Sequence, residues 1–147
     1  MRKLLSTSGD WELTLLRLAL GVVIFPHGIQ KTLGWFGGAG FKGTMAFFTQ
    51  GGIPTVFAFL AICAEFLGGL GLILGFLSRI AAFGILCVMA VAIFRVHLPN
   101  GFFMNWAGNQ KGEGFEFHIL AIGIALAILI RGAGALSVDR AIAKSGR

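Results

Sequence analysis

Four stretches of this chain, at about 13–33, 55–77, 79–98 and 115–131, run apolar for nearly the length that a helix needs to cross a lipid bilayer. A straight crossing takes about 20 apolar residues at about 1.5 Å of rise each. Inside hydrocarbon every backbone N–H and C=O must find its partner within the protein, which leaves only helices and closed barrels. The runs are long and do not alternate apolar with polar residues, so helices are expected. The charge content agrees, since 12% of the 147 residues are charged, against about 25% in soluble domains. The predicted fold is all-α and integral to the membrane. It is one domain over residues 1–147, with four transmembrane helices in a bundle.

The opening "MRKLLSTSGDWE" has the basic start of a signal peptide. Asp10 and Glu12 interrupt that pattern and no clear small-x-small site follows, so it is read as the lead-in to the first span. Arg2, Lys3, Arg79, Arg131, Arg140, Lys144 and Arg147 fall on one side of the spans, and Lys31, Lys42, Arg95 and Lys111 on the other. The basic bias predicts a multi-pass protein with both termini cytoplasmic. The net charge of +6 is then accounted for by anionic headgroups, so the lipid membrane is the expected partner and nucleic acid is not. The connections "GWFGGAGFKGTMAFFTQGGIP" and "PNGFFMNWAGNQKGEG" would face outward. "FKGTMAFFTQ" is predicted to form an amphipathic lid between the first two spans. Trp35, Phe36, Phe102, Phe103 and Trp106 suit the headgroup level.

Ionisable residues inside spans usually face the bundle interior and mark function. Here they are Arg17, His27, Glu65, Arg95, His97, Glu116 and His118. Counted along the helices, His27, Glu65, Arg95, Glu116 and His118 fall in one layer, roughly 18–24 Å from the inner span ends. Arg17 falls roughly 6–9 Å from that edge, where its side chain would reach headgroups. Helix phase puts Glu65 on one face with Ala61, Gly68, Gly69 and Leu72. It puts Glu116 with Leu120, Gly123 and Ala127, and Arg95 with Gly84, Val88 and Val91. Small residues mark close helix approaches, so Glu65, Arg95 and Glu116 are expected to point inward together, with Glu65 and Arg95 in one network. His97 and His118 lie about 200° from Arg95 and Glu116 and are weaker candidates. Pro26 lacks an N–H and is expected to kink the first helix, opening a polar cavity for His27.

That layer could be an ion-pair network alone, or a site that also binds a ligand or handles protons. No His-x-x-x-His or Glu-x-x-His spacing occurs, so no metal site is expected. Cys63 and Cys87 stand alone in the second and third spans, at depths differing by roughly 10 Å, too far for a disulfide. No haem-attachment motif, dinucleotide fingerprint or phosphate loop is present, so no covalently bound cofactor is expected.

Three segments together resemble the DoxX family. In "LRLALGVVIFPHGIQKTLGWFGGAG" the matching residues are Arg17, Gly21, His27, Gly28 and Lys31. In "AEFLGGLGLILGFLSRIAAFGILCVMAVAIFRVHLPNGFF" they are Glu65, Gly68, Gly69, Gly75, Arg79 and Met89. In "GFEFHILAIGIALAILIRGAGALSVDR" they are Glu116, Gly132, Gly134, Ser137 and Asp139. The resemblance implies a four-helix protein of the bacterial inner membrane. It also implies links to oxidation chemistry: family members are tied to thiosulfate:quinone oxidoreductase, to oxidative-stress complexes and to quinone or catechol detoxification. The expected function is a redox-associated subunit that binds a quinone-like ligand in the polar layer. Glu65 or Glu116 would handle protons, Arg95 would orient an oxygen, and His27 would donate a hydrogen bond or relay a proton. Electrons would come from a partner in a larger membrane or peripheral oxidoreductase complex, and a homo-oligomer is a further expectation. The alternatives are a non-enzymatic accessory or assembly subunit, and a small-solute or proton transporter. The transporter reading lacks the paired broken helices of such proteins.

Overall fold

A computed structural model of the chain describes residues 2–145, with the side chains of residues 2 and 3 left aside. Arg147, expected on the basic side, lies outside the described residues, as do the Arg2 and Lys3 side chains. The regular elements described are all helical: α1 (Arg2–Leu5), α2 (Trp11–Thr32), α3 (Gly40–Gln50), α4 (Thr55–Leu74), α5 (Ser78–Ala92), α6 (Glu116–Arg131) and α7 (Val138–Ser145). A π-helical turn (Ile93–His97) and a 3-10 turn (Leu98–Asn100) continue α5. Three helical segments are long and apolar enough to cross a membrane: Trp11–Thr32, Thr55–Leu74 and Ser78–Asn100. The chain is thus a multi-pass membrane protein. The fourth expected span, α6, has 16 residues, about 24 Å of helix.

Helix α2 packs on α4 and α6, and α5 packs on α4 and α6, so the four close a ring. Its core is Leu20 and Ile24 of α2, Leu72 of α4, Ala82 and Ile85 of α5, and Ala121, Ala125 and Ile128 of α6. The three- and four-residue spacings on α5 and α6 are the period of one helix face. Between α2 and α4 the backbones nearly touch. A Cβ on Gly28 would lie 2.5 Å from Phe66 Cα, and one on Gly69 2.8 Å from Phe25 Cα. Lipid supplies no hydrophobic drive between helices, so such close packing is what holds them. Helix α2 stays continuous through Pro26. The expected lid is helix α3, which packs on α2 and α4 and sets Phe41 against Phe59 with ring centroids 6.3 Å apart.

At the opposite end from α3, the turn joining α4 to α5 is held from both sides. Helix α4 stops at Leu74 rather than near residue 77, because Gly75 takes a left-handed φ of 71°. Arg17, 1% exposed, donates to the carbonyls of Leu72, Ile73, Ala133 and Leu136. Asp139 accepts from the Leu77 and Ser78 N–H groups at 2.7 and 2.9 Å. A cation thus sits at the C-terminus of α4 and an anion at the N-terminus of α5, each where the helix dipole favours it. The expectation that Arg17 reaches headgroups is corrected: the carbonyls left free at the end of α4 draw its guanidinium inward.

Candidate functional site

The polar layer opens on one large half-open cleft of about 1800 Å³. Its walls are the facing sides of α4 and α5, among them Leu60, Leu67, Leu74, Phe83, Val88 and Val91. At the α3 end the walls turn polar, with His27, Lys31, Glu65, Arg95, His97 and His118 all lining the cleft.

Glu65 is 4% exposed, on the face shared with Gly68, Gly69 and Leu72, as its phase requires. Its partner is Lys31, with Nζ 2.5 Å from Oε2. Lys31 stands four residues after His27, hence on the same face of α2. The close approach at Gly28 lets a side chain from the last turn of α2 reach the middle of α4. The expected Glu65–Arg95 pair is therefore corrected. Arg95 is exposed and donates to the Gly51 carbonyl at the end of α3. The physical reason lies in Pro99, which cannot bond the carbonyl of Arg95 four residues back. The helix widens there into the π turn Ile93–His97, so phase counted from Gly84 no longer holds.

On α6 the expected face is also corrected. The buried residues are His118, Ala121, Ala125 and Ile128, while Leu120 is 66% exposed and a Cβ on Gly123 would meet nothing within 4 Å. Glu116 accordingly does not line the cleft. Its Oε1 accepts the Met104 N–H at 2.9 Å, and Glu113 Oε2 accepts the Asn105 N–H at 2.6 Å, so both carboxylates pin the 101–115 loop. His118 takes the inward place, with its ring centroid 4.0 Å from that of His97. His118 Nδ1 is buried without a hydrogen-bond partner. His97 Nδ1 lies 2.8 Å from the Glu113 carbonyl oxygen. His27 is exposed on α2 where that helix borders the cleft.

Lys31 is the residue that sequence reasoning counted for topology and for the family resemblance but left out of the polar layer, although its spacing from His27 marked it for the same face. Cys63 and Cys87 are free thiols, and both border the cleft. Among the described residues no group of three His, Cys, Asp or Glu side chains could hold a metal ion.

These features define a class: a multi-pass helical membrane protein with an apolar cleft, open on one side, that ends in a few convergent polar groups, the usual composition of a small-molecule site. Within that class the chain belongs to the DoxX family, which it matches over residues 12–98. It is 30% identical over 114 residues to "Putative oxidoreductase CatD" of Bacillus subtilis (strain 168), covering 78% of this chain and 75% of that protein. It is 32% identical over 113 residues to "Inner membrane protein YqjF" of Escherichia coli (strain K12), covering 77% of this chain and 82% of that protein. No solved structure matches the chain significantly.

Proposed function

We propose that the chain is a redox-associated subunit of the bacterial inner membrane that holds a quinone-like amphiphile in the α4–α5 cleft. The observation that carries this reading is the shape of the cleft: apolar walls along two spans lead to one end where a part-buried ion pair and an unpartnered imidazole converge. An apolar tail fits the walls, and a headgroup with hydrogen-bonding oxygens fits the polar end. Glu65 is the group to handle protons, since Glu116 is engaged by the loop. Arg95 and Lys31 orient a headgroup oxygen, and His27 offers a further hydrogen bond. The sequence holds no electron-carrier motif, so a partner oxidoreductase supplies or takes the electrons. The names of the two relatives, "Putative oxidoreductase CatD" and "Inner membrane protein YqjF", agree with this assignment. In this reading α6 is the fourth span, reaching the headgroups through Arg131 at its end, and both termini are cytoplasmic.

Titration of the purified protein with a short-chain quinone, followed by tryptophan fluorescence, tests the proposal. Saturable binding is expected, weakened in His27→Ala by the value of one hydrogen bond, about 0.5–1.5 kcal/mol. Absence of saturable binding removes the ligand reading and leaves an accessory subunit, for which a stoichiometric large partner should then co-purify.

A further inference from the structure

A backbone carbonyl can only accept a hydrogen bond. In the neutral imidazole, His97 Nδ1 must therefore carry the proton and donate it to Glu113 O, 2.8 Å away. Asn100 Nδ2 donates to the same oxygen at 3.1 Å and holds it in place. With the proton fixed on Nδ1, Nε2 carries a lone pair. That nitrogen has no protein partner among the described residues, and its ring borders the cleft. Beside it stands His118, 6% exposed, whose side chain makes no hydrogen bond among the described residues and whose Nδ1 is orphaned. A buried polar atom left unpaired costs free energy, and His118 Nδ1, orphaned beside the open lone pair of the half-buried His97, makes this wall a place for a ligand atom.

We infer that His97 and His118 form a proton-accepting station for the headgroup, so that the cleft selects the hydroxyl-bearing, hydroquinone form of its ligand over the quinone. This inference rests on the proposed reading that the cleft holds a quinone-like amphiphile. A hydroquinone hydroxyl donates to the lone pair on His97 Nε2. A quinone oxygen can only accept, and there it meets lone pair against lone pair. No bond fixes the tautomer of His118, which adapts to either form, so His97 decides. Lys31 and Arg95 donate only, and serve the oxygens of both forms alike. The selection therefore arises at one nitrogen.

The test is calorimetric titration of the whole protein in lipid nanodiscs, without oxygen, with a short-chain benzoquinone and with its hydroquinone. The wild type should bind the hydroquinone about tenfold more tightly. In His97→Asn the amide still reaches Glu113 O from near the Nδ1 position but offers nothing at Nε2, so the preference should vanish, with hydroquinone affinity lost and quinone affinity held or raised. In His97→Gln the amide oxygen comes near the Nε2 position, and part of the preference should return. Equal binding of both forms, tighter quinone binding, or an equal loss of both in His97→Asn overturns the inference and leaves the cleft reading standing. No saturable binding of either form overturns both. Should His97→Asn fail to fold, nitrogen NMR of the wild-type histidines decides: the Nδ1–H tautomer at His97 supports the inference, and the Nε2–H tautomer overturns it.

Discussion

Removing Lys31 should destabilise the fold more than removing Glu65, although the two share one ion pair. At an effective dielectric near 20, a pair in contact gains on the order of 4 kcal/mol or more of attraction. Several kcal/mol of that offsets the cost of taking the carboxylate out of water. The partners are not equally buried: the Glu65 side chain is 6% exposed and that of Lys31 24%. In Lys31→Met the carboxylate is stranded mid-helix with no other cation bonded to it among the described residues, at a cost of about 3–5 kcal/mol. In Glu65→Gln the ammonium, at the last turn of α2, can swing its apolar stem and carry the charge outward. That cost should be nearer 1–2 kcal/mol, the range for a lost partner at a partly solvated group. The double variant Lys31→Met, Glu65→Leu should lie within about 1.5 kcal/mol of wild type, because an apolar pair of similar volume replaces a desolvated ionic one. The assay is reversible unfolding in mixed micelles by titration with sodium dodecyl sulfate, read by far-ultraviolet circular dichroism. A loss in the double variant as large as that of Lys31→Met alone, or a greater loss in Glu65→Gln than in Lys31→Met, would refute the reasoning.

Gly28→Leu should prevent α2 and α4 from closing and abolish the folded form on size exclusion, whereas Gly123→Leu, with open space around its Cβ, should leave the melting temperature within a few degrees of wild type. Asp139→Asn should cost about 1–2 kcal/mol through the weakened cap of α5, measured by the same unfolding titration. Arg17→Leu leaves four carbonyls without their donor and should cost more than Asp139→Asn in that titration; an equal or smaller loss would mean that the carbonyls find other partners. A reporter active only in the cytoplasm should work when fused after Arg147 and fail at Lys111, and the reverse pattern would overturn the orientation proposed here.

The first three spans were legible because the bilayer imposes a length and an apolar surface, and both are written in composition. The placement of Glu65 was legible too, since four residues on its face are glycine, alanine or leucine at one phase and α4 is regular over its whole length. Two faces were not. On α6 the phase was anchored on Gly123, on the premise that small residues mark contacts, but a glycine can equally face lipid, where nothing packs on it. On α5 the phase was carried across a π turn that only Pro99 hinted at. Arg17 and Lys31 were misjudged for a shared reason: a long cationic side chain near a span end can snorkel outward or bend inward, and which it does depends on carbonyls and carboxylates of other helices. Those partners are 34 to 119 residues away along the chain, beyond the reach of any local pattern.

The clasp that Arg17 and Asp139 close on the α4–α5 turn also makes that turn a fulcrum. The two helices are clasped together at one end, so any widening of the space between them has to rotate about Gly75–Ser78. Arg95 lies 17 residues beyond Ser78, about 25 Å along the helix. A rotation of only about 10° at the fulcrum moves that far end by about 4 Å. The girth of whatever lies between the arms is thereby magnified into the position of the Arg95 guanidinium, and through its bond to Gly51 into the position of helix α3. Spin labels near Leu60 and Val91 should change their separation when the cleft fills, while a pair near Leu74 and Ile80 should hold theirs. Uniform change at both levels would mean that the arms slide rather than swing.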